Sequence, residues 1–94
     1  MNIENKVVVV TGAASGIGRA LAQAFKNARA DKVYIADLNE EGLAETADLM
    51  DGIAIKTDVS KESEIRNLIE EVNKENDIDI FCSNAGIGGE FGLL

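Results

Sequence analysis

Gly12, Gly16 and Gly18 fall in one short stretch, VVVVTGAASGIGR, which runs from Val7 to Arg19. Glycine loses more backbone freedom on folding than any other residue, so this cluster implies that the bare backbone itself is needed. The chemistry that suits it is anion capture. A helix N-terminus offers unpaired N–H groups and a partial positive charge, and a phosphate reaches them only where no Cβ blocks its approach. The third glycine allows the helix to pack closely on the preceding strand. Three glycines also suit an ordinary tight turn. Their position after a β-branched run and before an amphipathic segment favours the phosphate reading.

A second feature extends that chemistry. Asp37 follows Gly18 by 19 residues, the spacing at which a dinucleotide-binding fold uses an acid to accept hydrogen bonds from the adenosine ribose. The competing role is a turn or helix-capping aspartate, since ADLNEE leads into a helical pattern. A carboxylate there repels a 2′-phosphate, which favours NAD over NADP. A P-loop is excluded, because G-x-x-x-x-G-K-[ST] needs a second glycine where this chain has Ile17. A methyltransferase also uses a glycine-rich turn and an acid after the second strand, so that class stays open at this level.

The elements that must position these residues alternate along the chain. Lys6–Val10 is a β-branched run, and Ile17, Leu21, Ala24, Phe25 and Ala28 follow at helical spacing. Lys32–Ala36 predicts a second strand, Glu40–Met50 a second helix and Ile53–Thr57 a third strand. Ser60 is read as the cap of a third helix carrying Ile65, Leu68, Ile69 and Val72. Ile78–Ser83 predicts a fourth strand before a glycine-rich tail. Strand–helix alternation with short connectors points to βαβ units and a parallel sheet, with right-handed crossovers. The four consecutive valines fit a central strand covered on both faces.

Composition sets the outer bounds. The 94 residues make one small domain. Seventeen acids against nine bases give a net charge of −8, which argues against nucleic acid as a partner. The acids gather in Glu40–Asp51 and Glu62–Asp79 and read as solvated helix faces. No apolar run approaches the roughly 18 residues of a membrane span, and MNIENK does not read as a secretory signal. One cysteine, Cys82, and no histidine fit a cytoplasmic protein and leave no basis for a metal site.

At this point the chain resembles the short-chain dehydrogenase/reductase family. Thr11–Gly18, TGAASGIG, matches the family's T-G-x-x-x-G-x-G cofactor turn at every fixed position. Ser83–Gly86, SNAG, is similar to its N-N-A-G segment with serine in the first place, and Asp58–Ser60, DVS, matches the acid after the third strand. The resemblance implies a Rossmann-like, three-layer α/β/α fold with a parallel sheet in the order 3-2-1-4. Residues 1–94 would be the N-terminal part of a single NAD(P)-binding domain. By the same resemblance, Gly12, Ser15, Gly16, Ile17 and Gly18 would hold the adenosine and pyrophosphate, and Asp37 the ribose. Leu38 would lie near the adenine, Asp58 and the Val59 backbone would fix that ring, and Asn84, Ala85 and Gly86 would line the cleft.

The family's chemistry uses a serine and a Y-x-x-x-K pair. The sole tyrosine, Tyr34, sits inside the second strand, and the residue four later is Leu38. No catalytic residue is assigned, and the family's lie beyond the fourth strand. The expectation is the N-terminal part of a longer NAD-dependent oxidoreductase. That protein would move a hydride between nicotinamide and a carbonyl or hydroxyl carbon of a small molecule, and would be a homo-oligomer when complete. The 94 residues alone would be inactive, with the outer edge of the fourth strand left open. The alternatives are a non-catalytic dinucleotide-binding fragment and the methyltransferase.

Overall fold

Strand β1, Val7–Thr11, has every residue buried, as a strand needs when sheet flanks both its edges and helices cover both its faces. The computed structural model describes residues 3–84 and 90–93. After β1 come helix α1 (Gly16–Asn27), β2 (Lys32–Asp37), α2 (Glu40–Met50), β3 (Ile53–Lys56), α3 (Glu62–Asn73), β4 (Ile80–Ser83) and β5 (Glu90–Leu93). The sheet order is β3-β2-β1-β4-β5. β1 runs parallel to β2, from Val7 opposite Lys32 to Thr11 opposite Ala36, and parallel to β4, from Val8 opposite Ile80 to Val10 opposite Cys82. The order 3-2-1-4 implied by the sequence is therefore present.

Alternate valines serve opposite faces. Val8 and Val10 join Ala22, Val33, Ile35, Leu43 and Met50, the core that α1 and α2 close. Val7 and Val9 join Tyr34, Ala36, Leu68, Val72 and Ile78, the core that α3 closes. The result is three layers. Tyr34 is buried in the second core, and its hydroxyl accepts a hydrogen bond from Asn76 Nδ2 at 2.9 Å. It is a packing residue.

Both ends of the β1–β4 pair are fastened. The Val7 amide donates to Asp79 Oδ2 at 2.9 Å, and the Asp79 amide returns a bond to the Val7 carbonyl at 2.9 Å. That exchange occupies Asp79, so β4 starts at Ile80 rather than Ile78. At the other end the Thr11 hydroxyl donates to the Cys82 carbonyl at 3.4 Å and accepts from the Asn84 amide at 3.1 Å.

Two expectations are corrected. The outer edge of β4 is not open, because β5 pairs with it antiparallel, from Ile80 opposite Leu93 to Ser83 opposite Glu90. Residues 84–89 separate the two strands, which suffices for an antiparallel return but not for the dozen or more residues of a parallel crossover. Ser60 does not cap α3. The N-cap is Lys61, which makes no side-chain capping bond. Ser60 lies one residue before that cap, and its hydroxyl donates to Asp58 Oδ1 at 2.6 Å.

The core assignment is tested by truncation. Leu68→Ala should lower stability by about 2–5 kcal/mol in urea unfolding, whereas Leu49→Ala, on the exposed side of α2, should change it by less than about 0.5 kcal/mol. Equal effects would mean that α3 does not close the second core.

Candidate functional site

The three glycines of the turn have different reasons to be glycine. Gly12 and Gly16 have φ of 66° and 59°, the left-handed region where a Cβ is strained. A Cβ added at Gly16 would meet nothing within 4 Å, so the surface above it is bare. A Cβ added at Gly18 would lie 1.9 Å from the Gly12 carbonyl oxygen. That position is glycine because α1 packs directly on the turn.

The N-terminus of α1 is set up differently from those of the other helices. Ser15, its N-cap, makes no side-chain capping bond, and no acid lies in its first turn. The first-turn amides thus have no side-chain cap and no acid within their own turn. α2 begins with Glu40 and Glu41, and its cap Asn39 accepts from the Gly42 amide. α3 begins with Glu62 and Glu64 in its first turn. Of the three described helices, only α1 keeps the electropositive end that suits an anion.

Asp37 ends β2 beside this turn. Its Oδ2 accepts from the Ala14 amide at 3.0 Å, and its Oδ1 accepts from the Asn39 amide at 3.0 Å. The carboxylate therefore does have the turn role weighed against ribose binding. That role leaves room for a second: an ionised carboxylate has about four acceptor positions, and two remain.

Asp58 follows β3. Its Oδ1 accepts from the Ser60 hydroxyl at 2.6 Å and the Ser60 amide at 3.0 Å, and its own amide donates to Glu64 Oε1 at 2.7 Å. The bonds from Ser60, side chain first, hold the Asp58 carboxyl below the usual aspartate range. It is thus an acceptor-only group aimed from the connection before α3.

One open cavity of about 400 Å³ gathers these parts. Gly12, Ser15, Asp37, Leu38, Asp58, Val59 and Asn84 all line it, joined by Ser60. Gly16, Ile17 and Gly18 lie in the first turn of α1 rather than in its lining. Ile17 is 71% exposed and Leu38 55%, two apolar side chains largely open to solvent. Ala85 and Gly86 lie outside the described residues. Sequence reading missed Ser60 as a cavity residue, although an Asp two positions before a Ser is a recognisable side-chain turn. It also missed Thr11 as the acceptor that fixes the Asn84 backbone.

The turn before α1, a carboxylate with spare lone pairs and a second carboxylate thus line one cavity. The residues therefore fit an adenine dinucleotide. Among the described residues, no three His, Cys, Asp or Glu side chains cluster to hold a metal ion, and no helix is long and apolar enough to cross a membrane.

Comparison with known proteins gives a consistent family. A model described as short chain dehydrogenase matches residues 6–93. The chain is 36% identical over 98 residues to the uncharacterized oxidoreductase YxbG of Bacillus subtilis, covering 98% of this chain and 36% of that protein. It is 37% identical over 89 residues to an NAD-dependent glycerol dehydrogenase of Listeria innocua, covering 92% of this chain and 35% of that one. The crystal structure of a short chain dehydrogenase/reductase from Burkholderia phymatum in complex with NAD matches with a TM-score of 0.85 at 32% identity, over 94% of this chain and 33% of that one. The chain thus spans about a third of the length of the curated relatives it matches.

The two kinds of glycine constraint can be separated by urea unfolding. Gly18→Ala should destabilise by about 1–3 kcal/mol through overpacking, and Gly16→Ala by about 1–2 kcal/mol through backbone strain alone. A Gly18→Ala variant as stable as the parent would mean that α1 does not approach the turn this closely.

Proposed function

The chain belongs to the short chain dehydrogenase family, and on that premise we propose that it forms the adenine-dinucleotide-binding part of an NAD-dependent oxidoreductase. Family membership sets aside the methyltransferase. The observation that carries the proposal is the single cavity in which the turn before α1 meets Asp37 and Asp58.

Each residue has a chemical task in this reading. Gly12, Gly16 and Gly18 let the diphosphate approach the amides at the start of α1, with Ser15 offering a hydroxyl. Ile17 covers the ligand from outside the cavity. The free lone pairs of Asp37 accept the ribose hydroxyls, and Leu38 packs against the adenine. Asp58, fixed by Ser60, accepts from the adenine amine, with the Val59 backbone beside the ring. Asn84, held through its amide by Thr11, lines the inner wall, and Ala85 and Gly86 are proposed to continue it.

Three features support NAD over NADP. The Asp37 carboxylate would face a 2′-phosphate with like charge. The next residue is Leu38 instead of a base. The nearby cation, Arg19, is engaged with α2 through Thr46 and Gly42, so it does not answer the phosphate.

In the whole protein the bound nicotinamide would supply hydride chemistry toward a carbonyl or hydroxyl carbon of a small molecule. Within these 94 residues the proposal is confined to binding. The only tyrosine is buried in β2 and bonded to Asn76, and it has no lysine four positions on. We place the complete protein in the cytoplasm as a homo-oligomer, a reading supported by the single, buried, free Cys82 and the family.

Asp37→Ala should weaken NAD binding by about 1–3 kcal/mol, the loss of charge-assisted hydrogen bonds, and narrow the gap to NADP. Calorimetric titration with both dinucleotides measures it; an unchanged NAD-to-NADP ratio would remove Asp37 from the sugar site. Gly16→Val should abolish detectable NAD binding with circular dichroism retained. Intact binding in that variant would put the diphosphate elsewhere.

A further inference from the structure

The glycine turn has a pinned half and an open half. Ala13 and Ala14 are buried, and each of their backbone groups has a partner. On the amide side, Ala13 donates to the Ala36 carbonyl at 3.3 Å and Ala14 to Asp37 Oδ2 at 3.0 Å. On the carbonyl side, the Thr46 hydroxyl donates to Ala13 O at 2.7 Å, and Arg19 Nη2 donates to Ala14 O. Ser15, Gly16 and Ile17, the residues that follow, are exposed.

Arg19 and Thr46 form one network behind the turn. Arg19 Nε donates to Thr46 Oγ1 at 2.8 Å, and Nη2 also reaches the Gly42 carbonyl at 3.1 Å. Glu45 lies 3.7 Å from the same nitrogen. Thr46 is fully buried among Leu43 and Met50 on the inner face of α2. An apolar residue would fill that space without the need to satisfy a hydroxyl. The hydroxyl has one proton and two carbonyls within reach, Ala13 at 2.7 Å and Gly42 at 3.1 Å. It therefore ties the turn to the first turn of α2, the helix that starts just after Asp37. Neither Arg19 nor Thr46 lines the cavity.

We infer that Arg19 and Thr46 are positioning residues for the dinucleotide: they fix the turn before α1 at a set distance from Asp37, so that diphosphate and ribose are met together. This rests on the reading of the cavity given above. A turn already held loses little freedom when ligand binds; a released one must be ordered at that moment, which weakens binding. The effect belongs to a ligand that spans both grips. Adenosine, which lacks the diphosphate, should feel it much less.

Thr46→Val keeps the shape and deletes the donor, whereas Thr46→Ser keeps the donor and deletes a methyl. Calorimetric titration of the full chain with NAD, and NMR titration with adenosine, reads both. Thr46→Val should weaken NAD about tenfold, the scale of one buried hydrogen bond, and adenosine by less than about threefold. Thr46→Ser should stay within about twofold of the parent for NAD. Arg19→Met should match Thr46→Val, and the double variant should add little, as members of one network do. Unchanged NAD affinity in Thr46→Val, equal losses for NAD and adenosine, or a serine variant as weak as the valine one would each overturn the inference. Should Thr46→Val fail to fold, Thr46→Ser and Arg19→Met decide it by the same ratio. A parent chain that binds neither ligand would overturn the reading of the cavity itself, and this inference with it.

Discussion

The hydrogen bond from the Ala14 amide to the Asp37 carboxylate fixes the turn that leaves β1 against the end of β2. β1 and β2 are parallel, so their C-terminal ends lie side by side, with Thr11 opposite Ala36. The turn leaves one end and Asp37 closes the other. This 3.0 Å bond, with the 3.3 Å bond from the Ala13 amide to the Ala36 carbonyl, sets the spacing between the start of α1 and the Asp37 carboxylate. Parallel topology supplies the neighbourhood, and the carboxylate supplies the register. The rest of the site follows from this pairing, because β3 and β4 bring Asp58 and Asn84 to the same rim of the sheet.

Much of this was legible in the letters because it rests on local rules. Helix α2 has the predicted bounds, Glu40–Met50, since Asn39 caps it and no proline or valine run interrupts it. The buried valines of β1 followed from the absence of polar alternation. Strand ends were off by one or two residues where a side chain intervened: Asp79 delayed β4, and Thr11 extended β1. The antiparallel β5 was not foreseen, as a short glycine-containing tail carries no period-two pattern. Ser60 was misread because α3 starts one residue later than its capping pattern suggested, with Lys61 in the cap position and Ser60 closing a local turn with Asp58.

The distribution of acidic residues acquires a meaning that net charge hid. The excess of 17 acids over nine bases would suggest a surface hostile to any phosphate. Yet four of the acids, Glu40, Glu41, Glu62 and Glu64, sit in the first turns of α2 and α3, where they complement those helix dipoles. The first turn of α1 has none. A strongly acidic protein can thus keep one helix end free of first-turn acids.

Asp37 also shows why asking whether a residue is structural or functional can be a false choice. Its two bonds to backbone amides use one lone pair on each oxygen, and the same bonds orient the remaining pairs toward the cavity. Removing the structural contacts would leave a carboxylate free to rotate and hydrate, which is a worse acceptor for a ribose. The turn depends on the carboxylate for its shape, and the carboxylate depends on the turn for its aim. Thr46 bonds the carbonyl of the same peptide group whose amide meets Asp37, and Arg19 the carbonyl of the next, so the turn is held between β2 and α2. A site built this way has its geometry before any ligand arrives.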